Sequence, residues 1–234
     1  MRMVRLVVAV AVTAALAACG NGSSTGGSTP PSGSHMTSPA GNTSGGSPKA
    51  TPSSVSSQAP VPVESNPPGD IPDSTRYLPY HSGKGGFTVK VPEGWSRITK
   101  GSSVTFTDKL NSITVEWAKA SSAPTISSAK SQEVPQLRRT VPAFALKHIA
   151  ACSPSCTIPY TTGPIVDRLP LHAVAISYFA NSAPNAVTGK RYRDEVDRFL
   201  FYKKGVEAAL TLSGPVGSDN KDPWRLVSES FAWS

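Results

Sequence analysis

No apolar run near the start of the chain reaches membrane-spanning length: Leu6 to Ala18 has only 13 residues. As a helix it would extend roughly 20 Å, against a hydrocarbon core of about 30 Å, which excludes a stable transmembrane helix there. Cysteine is scarce, three in 234 residues, so no dense disulfide framework can hold the fold. The stretch from Gly20 to about Thr75 is free of Phe, Tyr and Trp and poor in aliphatics. It cannot offset its ordering entropy by burying apolar surface and is expected to be disordered. No specific catalytic or cofactor motif occurs downstream. The one nominal match, Gly22-Ser23-Ser24-Thr25-Gly26, falls in this tract, where the strand-to-helix elbow that a nucleophilic serine needs cannot form.

What is present gives an address. Met1-Arg2-Met3-Val4-Arg5 is a basic n-region, Leu6 to Ala18 is a short apolar h-region, and small residues precede a cysteine in Leu16-Ala17-Ala18-Cys19. This order resembles the bacterial lipobox. The resemblance implies diacylglycerol and an acyl chain (palmitate) on Cys19, with cleavage before it, and no other cofactor. Residues 1–18 are then a lipoprotein signal peptide, 19–75 a Ser/Gly/Pro-rich disordered tether, and 76–234 the folded domain. As a flexible coil the tether spans on the order of 40 Å. The expected location is the cell membrane, lipid-anchored on the extracytoplasmic face.

Roughly 159 residues remain for the domain, enough for one sizeable core. From Arg76 onward 20 Lys plus Arg stand against 12 Asp plus Glu, so the basic balance belongs to the folded part. Outside a cell, such a domain is drawn toward anionic lipid or wall polymer, and the attraction weakens with salt. Nucleic acid is not expected in that compartment.

Phe87 to Val91, Val104 to Thr107 and Ile113 to Trp117 alternate apolar and polar, which predicts an antiparallel meander. A helix capped by Ser127 or Ser128 carries Val134, Leu137 and Val141, with Pro135 kinking or starting it. Strands follow at Phe144 to Ala151, Ala173 to Phe179, Lys190 to Lys203 and Val206 to Leu212. Asp222 and Pro223 open a last helix that lays Trp224, Val227 and Phe231 on one face. The class is α+β: an antiparallel sheet with two helices packed on it, in the order β3-α-β4-α.

Three stretches carry a family resemblance: Gly86-Phe87-Thr88-Val89-Lys90-Val91-Pro92-Glu93-Gly94-Trp95, the long hairpin from Lys190 to Leu212, and the helix running into Ser230-Phe231-Ala232-Trp233. Together they resemble the PsbP-like fold, which LpqN-type actinobacterial lipoproteins and a Ran-binding nuclear protein also use. The resemblance spans about residues 77–234. It implies a binding or assembly protein, not an enzyme, and no catalytic residues carry over.

The remaining candidates are few. Cys152 and Cys156 are expected to form a disulfide that pins a surface loop. Thiol exchange favours a C-x-x-C at a helix start, and His148 is the lone partner for a soft-metal site; no metal site is assigned. Asp194, Glu195 and Asp197 lie among arginines and are expected in cross-strand ion pairs. Trp95, Trp117, Tyr178 and Phe179 are core candidates that could also line a ligand pocket. The expected function is a non-catalytic binding or accessory module for an envelope partner: a protein, a wall polymer or anionic lipid. A carrier of a small apolar ligand or lipid is the alternative, and a cell-envelope hydrolase a further one.

Overall fold

The computed structural model describes residues 68–108, 110–185 and 189–234. Cys19, the signal segment and nearly all of the tether therefore lie outside the described residues. Five strands come first: β1 (Tyr77–Ser82), β2 (Phe87–Pro92), β3 (Ser96–Lys100), β4 (Ser103–Thr107) and β5 (Ser112–Lys119). A helical stretch follows, made of α1 (Ile126–Ser128), a π-helical turn (Ala129–Glu133) and α2 (Val134–Thr140). Then come β6 (Ala145–Cys152), β7 (Ser155–Tyr160), β8 (Gly163–Arg168), β9 (Ala173–Asn181), β10 (Arg193–Lys203), β11 (Val206–Pro215), α3 (Lys221–Glu229) and β12 (Ala232–Trp233).

Seven strands form one antiparallel sheet, ordered β3-β4-β5-β11-β10-β9-β6, while β1-β2-β12 and β7-β8 form two small sheets. The α+β class with an antiparallel sheet is what the alternation predicts, but the order β3-α-β4-α does not hold, since five strands precede the helical stretch and six lie between it and α3, and two further details differ. The meander is β3-β4-β5, and β2 pairs instead with β1 and β12. Alternation sets which face of a strand is buried and leaves its partner open. The stretch around the cysteines, expected as a loop, is the β7-β8 hairpin.

The large sheet carries a core on each face, the second confined to its β9-β10 side. On one, Val104, Ile113, Val115, Phe199, Phe201, Leu210 and Leu212 meet Phe87 and Val89 of β2, together with Trp224, Val227 and Phe231. Phe231 stacks on Phe201 at 4.2 Å and on Phe87 at 5.5 Å. On the other face, Val174, Ile176, Tyr178, Val196 and Leu200 meet Ala129, Val134 and Leu137 of the helical stretch.

Both helices start differently from expectation. Thr125 caps α1, accepting from the Ser128 N–H at 3.0 Å while Ser128 Oγ accepts from the Thr125 N–H at 2.9 Å. The reciprocal bond favours Thr125 over Ser127 or Ser128 as the first cap. Pro135 lies inside the helical run, one residue into α2, and the π turn precedes it. The last helix begins at Lys221 and not at Pro223, and its cap residue is Asn220.

The Asn220 side chain is committed to long-range contacts. Its Oδ1 accepts from the Ile71 N–H at 2.8 Å, and its Nδ2 lies 2.9 Å from both the Gly69 carbonyl and Asn111 Oδ1. Ile71 is buried in the main core. The body therefore includes residues N-terminal of the boundary expected at 76. Gly214 is required beneath this knot, because a Cβ there would sit 2.6 Å from Asn111 Oδ1.

The two ends of the large sheet differ. The described residues 69–71 lie at the end where β11 finishes, beside Pro215 and the β4-β5 turn. The β10-β11 turn lies at the far end, ten residues of β11 away, roughly 33 Å. Lys204 and Gly205 both have positive φ there, 47° and 83°, as a two-residue hairpin turn of the favoured hand demands.

Candidate functional site

The titratable chemistry of the body gathers beneath the β7-β8 hairpin, between it, the large sheet and α3. Glu195 and Asp197 lie two residues apart on β10 and so share a face, the one that faces α3. Opposite Asp197 on β9 is Ser177. Asp167 comes from β8, Tyr160 from the end of β7, and Ser228 from α3. Lys147 falls at the register shift of β6 between Leu146 and His148, where a bulge re-aims a side chain.

The bonds in this chamber are specific. Lys147 Nζ donates to Glu195 Oε1 and to the Pro159 carbonyl. It also lies 4.7 Å from the centre of the Phe179 ring. The Thr161 N–H donates to both Glu195 oxygens, at 2.9 and 3.1 Å. Ser177 Oγ donates to Asp197 Oδ1 at 2.5 Å, and Ser228 Oγ to Asp167 Oδ2 at 2.9 Å. Asp167 Oδ1 and the Tyr160 hydroxyl are buried without a hydrogen bond of good geometry.

Two further carboxyls, Asp167 and Asp197, thus lie buried beside the Lys147–Glu195 pair without an ion pair of their own among the described residues. Asp167 is 0% exposed and Asp197 2%. Burial raises the Asp167 carboxyl to about 7; the Ser228 hydroxyl and Arg225 oppose this, and the charges of Asp197 and Glu229 add to it. Burial likewise lifts Asp197 to about 6, against the Ser177 and Tyr160 hydroxyls and Lys147, with Glu195 pushing it further up. Burial, with these acids nearby, holds the Tyr160 phenol well above its ordinary value. Such a chamber holds protons near neutral pH, which is chemistry a surface carboxylate does not have.

This arrangement corrects the expectation for the acidic run on β10. Of its three acids, only Glu195 forms an ion pair among the described residues. Asp194 is buried and accepts from Ser213 Oγ at 3.0 Å, and burial raises its carboxyl. β10 is an interior strand of the large sheet, so its three acids are enclosed instead of facing water. Arg198 points to the opposite face and holds Glu133 of the π turn at 2.8 Å and Glu116 at 3.0 Å. It also donates to Thr211 Oγ1 at 2.7 Å, so it ties the helical stretch to the sheet.

Cys152 and Cys156 form a disulfide, with Cα atoms 4.6 Å apart. It joins the last residue of β6 to β7 and is buried in the main core, so it hangs the hairpin from the sheet instead of pinning a surface loop. The four aromatics named as pocket candidates are not brought together. Trp95 packs edge-on against Trp224, and Trp117 edge-on against Phe87, both on the α3 side. Tyr178 is on the opposite face against Phe144. Phe179 lies between Lys147 and Arg193.

A groove of about 520 Å³ opens elsewhere, lined among others by Pro124, Ile126, His172, Val174 and Tyr202. None of the chamber carboxylates lines it. Among the described residues no group of three or more His, Cys, Asp or Glu is placed to hold a metal ion, and no helix is long and apolar enough to cross a membrane.

These observations define an α+β body with an antiparallel sheet, a buried acidic cluster and an end groove. No family model matches the chain, and no curated protein matches it. Solved structures do. Cyanobacterial PsbP from Synechocystis is similar at 15% identity and a TM-score of 0.44, over 68% of this chain and 92% of that one. The Saccharomyces cerevisiae Ran-binding protein Mog1p is similar at 8% identity and a TM-score of 0.42, over 68% and 96%. LpqN of Mycobacterium tuberculosis, described as involved in cell envelope biogenesis, is similar at 14% identity and a TM-score of 0.35, over 68% and 91%. At these identities no residue role passes from them to this chain.

Proposed function

We propose that this chain is a lipid-anchored, extracytoplasmic binding or accessory module that acts without catalysis on an envelope partner. The observation that carries the reading is the order Leu16-Ala17-Ala18-Cys19, low-complexity tract, folded body. The lipid on Cys19 holds the chain to the membrane, the tract gives reach, and the body presents a surface. The internal use of these acids supports the reading: Glu195 holds the hairpin, Asp167 of the hairpin bonds Ser228 of α3, and Asp197 bonds Ser177 within the sheet. In cells, Cys19→Ala abolishes palmitate labelling, and cross-linking from the body captures a discrete envelope component. Continued labelling of the variant refutes the anchor; capture of nothing above background refutes the module.

A second reading is favoured by the groove, whose lining of Ala123, Pro124, Ile126, Val174 and Tyr202 is mostly apolar. A carrier would hold a small apolar ligand there and not among the four aromatics first considered. Native mass spectrometry of protein from cells decides it by the presence or absence of a retained ligand.

A further inference from the structure

The end of the large sheet away from the N-terminal segment gathers lysines from four separate turns. Lys100 closes β3, and the Trp117 N–H donating to the Ser102 carbonyl at 3.0 Å brings that turn beside the end of β5, where Lys119 lies. The Ala120 N–H donates to the Gly205 carbonyl at 2.9 Å, which sets Lys119 against the hairpin turn with Lys203 and Lys204. Lys203 Nζ donates to the Ser234 carbonyl at 3.1 Å, and the Ser234 N–H to the Gly86 carbonyl at 2.9 Å, so the β1-β2 turn with Lys84 joins the group. Lys84, Lys100, Lys119 and Lys204 are exposed. Among the described residues none of the four forms an ion pair.

The carboxylates that could neutralise this end are engaged or withdrawn. Glu116 is held by Arg198, and Glu207 stands on β11 opposite Tyr202 with an interaction of its own. Four of the twelve acids from Arg76 onward (Asp167, Asp194, Glu195 and Asp197) are buried, which leaves the water-facing surface more basic than the sequence total. The groove is at this same end, between Tyr202, Pro124 and His172.

We infer that this end of the body is a docking face for a phosphate-bearing anionic polymer, which crosses Lys84, Lys100, Lys119 and Lys204 and lays its uncharged units in the adjacent groove. Lysine ammonium groups are compact point charges that suit separate phosphates along a flexible chain. A polymer fits better than a bilayer because the groove beside these lysines is concave and takes a chain, whereas a bilayer surface is flat. The inference rests on the binding-module reading and names its surface.

The test is fluorescence anisotropy of the full chain in non-ionic detergent with labelled long-chain inorganic polyphosphate, over a salt series. A variant carrying Lys84→Gln, Lys100→Gln, Lys119→Gln and Lys204→Asn loses on the order of tenfold or more in affinity, and its salt dependence is shallower by about one unit per contacting lysine. Asn suits the positive φ at 204. A control with Arg76, Lys90, Arg138 and Arg139 all changed to Gln removes equal charge elsewhere and retains affinity within about twofold. Restoring the four end positions as Arg restores binding. Absent binding, equal loss in both variants, or tighter lysine-dependent binding to vesicles rich in phosphatidylglycerol would overturn the proposal. A chain that is acylated at Cys19 and captures an envelope partner, yet ignores polyphosphate, removes this inference and leaves the module reading standing.

Discussion

Asp167→Asn should make the protein more stable at neutral pH and remove most of its pH dependence there. The Asp167 carboxyl titrates at about 7 in the folded chain against 3.8 when unfolded. Between those values the folded state binds the proton that the unfolded state has released, so stability falls as pH rises. The stabilisation by that proton is largely present at pH 5 and is lost as pH passes through about 7. For this group alone the loss between about pH 5 and pH 8 is on the order of 2.5 kcal/mol. Asp197, raised to about 6, adds a drop of the same sign at slightly lower pH. Asn at 167 still accepts from Ser228 Oγ, now bonded at 2.9 Å to Asp167 Oδ2, and carries no charge to desolvate. Urea denaturation followed by tryptophan fluorescence at several pH values gives the curves. The wild type loses stability from pH 5 to pH 8, and the variant loses clearly less and is the more stable of the two at pH 8. A wild type whose stability climbs over that range, or a variant with an unchanged profile, refutes the reasoning about the chamber.

Three further substitutions probe the frame. Phe231→Ala removes the ring stacked between Phe87 and Phe201 and should cost about 3–5 kcal/mol in denaturant unfolding. Arg198→Ala leaves Glu133 and Glu116 without their shared partner; a loss of about 3 kcal/mol is expected, with amide exchange rising first in the helical stretch at 126–140. Asn220→Ala strands the Ile71 N–H and frees the segment at 69–71, so limited proteolysis should cut there while the melting temperature falls by a few degrees.

The parts legible in the sequence were those set by local pattern. β2, β4, β5 and β9 alternate or run apolar, Lys204-Gly205 marks the hairpin, and Trp224, Val227 and Phe231 recur at helical spacing and are all buried. β3 was not legible because all five of its residues are exposed, so no burial pattern marks it. The β7-β8 hairpin was hidden by Pro154, Pro159 and Pro164, which read as loop. The acidic chamber was the hardest to see. Its members come from β6, β7, β8, β9, β10 and α3, and Lys147 reaches it through a bulge that no pattern announces. The lysine end has the same cause: Lys203-Lys204 is visible as a pair, but its neighbours at 84, 100 and 119 arrive only through sheet register.

The proposed membrane anchor rests on one residue, Cys19, and one measurement addresses it directly: the intact mass of the protein extracted from cell membranes. The prediction is a chain beginning at Cys19 and carrying diacylglycerol with an added acyl chain. A membrane-extracted chain that begins elsewhere, or begins at Cys19 with no lipid mass, contradicts it.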